Sequence, residues 1–310
     1  MSAKIAFVFP GQGSQSIGML AELGAQHAVV TNTFAQASEV LGYDLWELVQ
    51  LDVHNQLSQT HITQPALVAA SVSLWRLWLQ QGGATPSLLA GHSLGEYSAL
   101  ALGKSFDFET GLELVKIRAE AMQESCRYNE GSMAAVIGLK DEEVIKVCDS
   151  NSKEGIVVAA NFNAKAQVVI SGESKAIKSI IPLMKEAGAL KVIELNVSGA
   201  FHSPLMSSAK KVLSDKLLST NINDSNFPIY SNVTAYPISS ADEIQNALIE
   251  QLEKPVLWHQ SISQMINDGV ENAIEVGPGK VLQGLSKRIN SSLNMNSLEY
   301  LEDIVNFKHV

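Results

Sequence analysis

The chain opens on a continuous apolar run at residues 4–9 (KIAFVF), stopped by Pro10 and Gly11. A short run without alternation, bounded by breakers, predicts a strand buried on both faces. Gly11-Gln12-Gly13 follows as a flexible turn. Over 64–80 (QPALVAASVSLWRLWLQ) apolar residues recur at helical spacing, and Gly82-Gly83 closes the helix. Residues 87–90 predict another buried strand, 93–102 a helix with Gly103 past its end, and 113–124 an amphipathic helix.

The texture changes after Arg127. Residues 133–138 (MAAVIG) read as a strand and 141–148 as a helix. Two strands follow at 156–160 and 167–171, then a helix at 175–187 and a strand at 191–195. The order β-α-β-β-α-β is the ferredoxin-like split motif. Apolar segments at 229–231 and 273–276 resemble further strands of the first unit, so the motif reads as an insertion. The expected fold is α/β: a parallel-sheet, α/β-hydrolase-like core over 1–127 and 198–310, interrupted by a ferredoxin-like α+β subdomain over 128–197.

Composition narrows the partners. With 310 residues and 46% apolar content there is ample material for a core. A formal net charge of −10 argues against nucleic acid, which needs a basic face. The run at 4–9 is too short for the core of a signal peptide, and no stretch approaches the ~20 apolar residues that span a bilayer. Cys126 and Cys148 form neither a CxxC pair nor a disulfide framework and read as bystander thiols of a reducing compartment. A cytoplasmic monomer that binds no membrane is expected.

Chemistry enters at Gly91-His92-Ser93-Leu94-Gly95, a GxSxG turn between a predicted strand and a predicted helix. The glycines let strand and helix pack around a sharp turn that raises the serine hydroxyl. The helix start then directs N–H groups at any anion formed there. The backbone N–H of Leu94 is the first oxyanion donor this context predicts, and Gln12, in the turn after the first strand, is a candidate for the second. Ser93 also needs a base. Of seven histidines, His92 is adjacent to Ser93 and points away, and His27 and His54 sit in polar sequence and read as solvated. His202, in a loop returning to the core, is favoured over His61 and His259, which stay open as alternatives. A serine hydrolase or thioesterase could use the same turn, and a non-catalytic binding module could keep the fold.

Five motifs in order resemble the malonyl-CoA:acyl carrier protein transacylases of bacterial fatty acid synthesis. They are Phe9-Pro10-Gly11-Gln12-Gly13, Gly91-His92-Ser93-Leu94-Gly95-Glu96, Arg118 within KIRAEAM, Gly199-Ala200-Phe201-His202-Ser203, and Glu275-Val276-Gly277-Pro278-Gly279. The resemblance implies a Ser93–His202 dyad working by ping-pong kinetics, with malonyl-CoA as donor and the phosphopantetheine thiol of acyl carrier protein as acceptor. It assigns His202 a main-chain carbonyl partner at Gln251, and the sequence carries no GxGxxG fingerprint and no HExxH or other metal-ligand spacing, so no bound cofactor or metal is expected. Arg118, a surface residue on the local pattern alone, becomes the partner of the malonyl carboxylate, a contact worth roughly 1.5–3 kcal/mol. Met122, Asn163 and His92 map beside the acyl pocket. Phe201 with Leu94 matches the malonyl-selective pattern, which excludes an α-methyl group by about 1–3 kcal/mol. The acidic carrier would meet a local basic patch, for which Lys165, Lys191, Lys287 and Arg288 are candidates.

Overall fold

The computed structural model describes residues 4–128 and 130–307. Residues 1–3, Asn129 and residues 308–310, His309 among them, lie outside the described residues. The chain forms a mixed α/β fold with two sheets.

The apolar run at the start is strand β1 (Lys4–Phe9). Helices α1 (Ala21–Gln26), α2 (Ala28–Leu41), α3 (Leu45–Leu51) and α4 (Thr60–Gln80) follow, then β2 (Leu88–Gly91), α5 (Gly95–Leu102) and α6 (Phe108–Tyr128). β1 and β2 pair in parallel, with Phe9 opposite Gly91, so the glycine turn after β1 and the Ser93 turn after β2 emerge side by side. α4 is buried almost all round, and its Trp75 and Trp78 meet Phe7 edge-on at 5.5 and 5.6 Å.

The middle of the chain builds the second sheet. It contains β3 (Gly131–Ile137), α7 (Asp141–Ser150), β4 (Val157–Ala164), β5 (Gln167–Glu173), α8 (Ser174–Glu186) and β6 (Lys191–Glu194). All its pairs are antiparallel, in the order β4-β5-β3-β6. β4 runs four residues beyond the expected 156–160, because Phe162 and Ala164 still pair with β5 and Asn161 bridges to Val256.

The chain then returns to the first sheet through α9 (Ser207–Ser219), β7 (Ile229–Tyr230), β8 (Pro237–Ile238), α10 (Ala241–Gln251), α11 (Trp258–Asn267), β9 (Val270–Glu275), α12 (Val281–Ile289), β10 (Asn294–Ser297) and α13 (Leu301–Phe307). The six-stranded order is β10-β9-β1-β2-β7-β8, parallel throughout except for β8 on β7. From β1 the next strand in sequence lies on one side and β9 on the other, so β1 marks the switch point where a crevice opens beyond the strand ends. No helix among the described residues is long and apolar enough to cross a membrane. Both cysteines are free, and burial pushes the Cys148 thiol up to about 12. His27, expected in solvent, is half-buried at the junction of α1 and α2 with its Nε2 unpartnered among the described residues.

Candidate active site

The helix expected from residue 93 begins at Gly95 instead, because Ser93 takes a left-handed backbone (φ 51°). Such a φ costs a non-glycine residue roughly 1–3 kcal/mol and persists where its surroundings dictate it. Here the Ser93 N–H donates to Asn232 Oδ1 at 2.6 Å, while Asn232 Nδ2 donates to Gly91 O at 2.6 Å. The glycines are required by space. A Cβ at Gly91 would lie 1.9 Å from the Gly95 carbonyl carbon, and one at Gly95 would lie 2.0 Å from Phe9 O. Gly11 is pressed the same way, with His92 O 2.5 Å from the place of its Cβ.

The turn delivers Ser93 Oγ to 2.7 Å from His202 Nε2. His202 is buried and also left-handed, at φ 56°. Its Nδ1 lies 2.8 Å from the main-chain oxygen of Gln251, which can only accept. That contact puts the ring proton on Nδ1 and leaves the Nε2 lone pair facing the serine hydroxyl. Burial, and then the positive charge of Arg118, push the imidazole down to about 3, so the ring is neutral and able to take a proton. His61 is tied to Gln123 Oε1 at 2.6 Å on the border of a separate surface hollow, and His259 faces Asp141. Of the three candidates, His202 is the one brought to Ser93.

Arg118 is 1% exposed. It faces inward, toward Gln64 of α4, Tyr97 of α5 and Gln251 of α10, rather than to the solvent its helix pattern suggests. Its NH1 donates to Gln64 Oε1 at 2.7 Å, and its NH2 donates to Gln251 Oε1 at 3.0 Å and Ser93 Oγ at 3.3 Å. The guanidinium therefore sits behind the nucleophile. In front of it opens a cleft of about 160 Å³, lined by Gln12, His92, Leu94, Met122, Asn163 and Phe201 among others. His92 Nε2 lies 2.7 Å from Asn163 Oδ1, and Met122 Sδ accepts from Gln64 Nε2 at 3.5 Å. Among the described residues the backbone N–H groups of Gln12 and Leu94 donate to no protein acceptor.

A family model described as acyl transferase domain matches residues 6–302. The malonyl CoA-acyl carrier protein transacylase of Escherichia coli K12 is 45% identical over 295 residues, 95% of this chain and 96% of that one. The chain belongs to the malonyl CoA-acyl carrier protein transacylase family. Among solved structures, an acyl carrier protein S-malonyltransferase from Vibrio cholerae superposes with a TM-score of 0.95 at 46% identity, covering 98% of this chain and 99% of that one. A malonyl-transacylase in complex with its type II polyketide synthase acyl-carrier protein superposes at 0.97 with 42% identity, covering 99% of each chain.

Gln64, Asn161 and Asn232, which stand around this transacylase site, escape the sequence reading, and Glu96 is named there only as part of the serine motif, without a role. Gln64 is a buried polar residue in the second turn of α4, and Asn232 follows the carboxyl end of β7; a polar residue at such a place was the available signal. Glu96 stands inside the serine motif, and its sequence says nothing of its partners.

Proposed function

We infer that this chain transfers malonyl from malonyl-CoA to the phosphopantetheine thiol of acyl carrier protein through a malonyl-Ser93 ester, serving fatty acid synthesis. One observation carries the reading: Ser93 Oγ lies between a neutral imidazole at 2.7 Å and a buried guanidinium at 3.3 Å. A hydrolase of neutral esters has no use for a cation fixed behind its nucleophile.

In the first half-reaction His202 Nε2 takes the Ser93 proton as Oγ attacks the thioester carbonyl. The tetrahedral oxyanion falls to the free N–H groups of Gln12 and Leu94, each worth about 2.7–4 kcal/mol where comparable donors have been removed. Collapse breaks the carbon–sulfur bond, and the departing thiolate takes the proton from His202. In the second half the carrier thiol gives its proton to His202 and attacks the ester, and Ser93 recovers that proton as it leaves. Gln251 holds the base through its main-chain carbonyl. Arg118 pairs with the malonyl carboxylate by exchanging contacts it now makes with Gln64, Gln251 and Ser93. Phe201 and Met122 bound the acyl group, and Asn163, braced by His92, lines the entry. The scheme calls for no bound cofactor or metal.

The chemistry rests on a ferredoxin-like insertion, 128–197, in an α/β-hydrolase-like core, 1–127 and 198–310, acting as a cytoplasmic monomer without nucleic acid or membrane. The acidic carrier docks at a basic tip beside the cleft. Lys165 lies in the β4–β5 turn two residues after Asn163, and Arg288 NH1 donates to Gln167 Oε1 at 2.6 Å. Lys191 stands in the same cross-strand row as Gln167, with Ile137 between them. Lys287 neighbours Arg288 on α12.

Mixing with malonyl-CoA should leave a malonyl adduct on Ser93 by mass spectrometry, absent in Ser93→Ala and discharged to carrier protein. Discharge mainly as free malonate with carrier present would sink the transferase reading, and no adduct at all would favour a carrier-binding module.

A further inference from the structure

Glu96 is 1% exposed, in the first turn of α5, yet the transfer scheme gives it no task. Its Oε2 accepts from Gln251 Nε2 at 2.5 Å and its Oε1 accepts from the Asn232 N–H at 3.2 Å. The same Gln251 nitrogen donates to Ser93 O at 2.9 Å, so both of its protons are used on acceptors. The Gln251 oxygen is thereby turned toward Arg118, where it accepts from NH2 at 3.0 Å. Flipping the carboxamide would set its oxygen against the Glu96 carboxylate and the Ser93 carbonyl, and its NH2 against the guanidinium. The orientation is locked from the Glu96 side.

We propose that Glu96 is a positioning residue for malonyl selection, its carboxylate fixing the Gln251 carboxamide and, through it, the aim of Arg118 at Ser93. The inference rests on the malonyl-transfer reading and adds a residue that touches no substrate. The charges agree with it. A fully buried guanidinium needs a counter-charge, and Glu96 supplies one through an intervening amide. Besides Arg118 on α6, the titratable group facing Glu96 is Tyr97 on its own helix. Burial outweighs the donors from Gln251 and Asn232 and the charge of Arg118, leaving Glu96 raised to about 7, and both of its hydrogen-bond partners are donors, the set that a carboxylate accepts from. Gln251 also holds His202 through its main chain, so the Glu96 contact joins acid–base and carboxylate-binding parts at one residue.

The test is the ratio of kcat/KM for malonyl-CoA over acetyl-CoA, a donor lacking the carboxylate, with carrier protein as acceptor. Glu96→Gln is isosteric, but both its partners are donors, so either amide orientation opposes donor to donor. The ratio should fall about tenfold or more, the effect of losing one charge-assisted hydrogen bond. Gln251→Met, which keeps the main-chain carbonyl for His202, should lose the ratio similarly, and Glu96→Asp should retain more of it than Glu96→Gln. A folded Glu96→Gln with an unchanged ratio overturns the proposal; should that variant fail to fold, an unchanged ratio in Gln251→Met does the same. Wild-type protein run in parallel separates the two layers: no malonyl transfer there strikes the function itself, whereas normal transfer with unaltered ratios in the variants strikes only the role of Glu96.

Discussion

Gly95→Ala asks how much of the site depends on α5 touching the end of β1. The new Cβ would fall 2.0 Å from Phe9 O, 2.7 Å from the Phe9 carbonyl carbon and 3.0 Å from Pro10 O. All three are backbone atoms, so no side-chain rotation relieves the clash. A relaxed C···O contact is about 3.3–3.6 Å, so the helix start must retreat by roughly 1.3 Å or more. Gly95 does not lie at positive φ, which makes the effect steric rather than conformational. Overpacking of this kind costs about 1–3 kcal/mol. The retreat also moves Ser93 and the Leu94 N–H relative to His202, and a misplacement of ~1 Å costs on the order of 10²-fold in rate. Urea unfolding reads the first effect and rapid-quench mass spectrometry of malonyl-Ser93 reads the second. A Gly95→Ala protein within about 0.5 kcal/mol of wild type, acylated at the wild-type rate, would refute the steric argument.

Gly284→Ala is the opposite case: this glycine sits inside α12, exposed, with nothing within 4 Å of its Cβ position, and the substitution should stabilise by about 0.4–1 kcal/mol in urea. Asn232→Ala removes the acceptor of the Ser93 N–H and the donor to Gly91 O, and each orphaned group should cost about 1–3 kcal/mol by the urea midpoint. Asn232→Asp keeps the acceptor but sets a buried carboxylate against the Gly91 carbonyl with Glu96 close by, and should lose at least as much. His202 is held near 3 when folded against an ordinary value of 6.5, so the unfolded chain binds the extra proton between those limits. Its contribution to stability is complete above pH 6.5 and is lost as pH falls toward 3, by up to about 1.4 kcal/mol per unit. Urea midpoints from pH 6.5 to 4.5 should show a shallower slope in His202→Gln, and an unchanged slope would count against the buried neutral imidazole.

Much of this was readable residue by residue. The breaker-bounded run at 4–9 and the sharp strand-to-helix turn around Ser93 arise from patterns within a few positions, and local sequence records them, whereas the left-handed Ser93 backbone that delays the helix to Gly95 is held by Asn232, 139 positions away. Strand β4 was read short because its last residues owe their extended form to β5 and to Val256, a partner almost a hundred residues away. Arg118 shows the limit more sharply. Its helix pattern places it on the surface, and only the packing of α6 against residues of α4, α5 and α10 buries it behind Ser93; the family motif, not periodicity, marked it in the sequence.

The dyad itself joins residues 109 apart, and the contacts of Glu96 with Gln251 and of Ser93 with Asn232 span 155 and 139 positions. Sequence alone determined which residue could be the nucleophile, because a strand–turn–helix marked by a GxSxG pattern is a local structure, even though the space that requires Gly95 is set by Phe9 of the neighbouring strand. Tertiary structure decided which buried polar groups surround it, because those partners meet only when strand order brings β1, β2 and β7 side by side and burial forbids any donor or acceptor among them to stay unpaired at no cost.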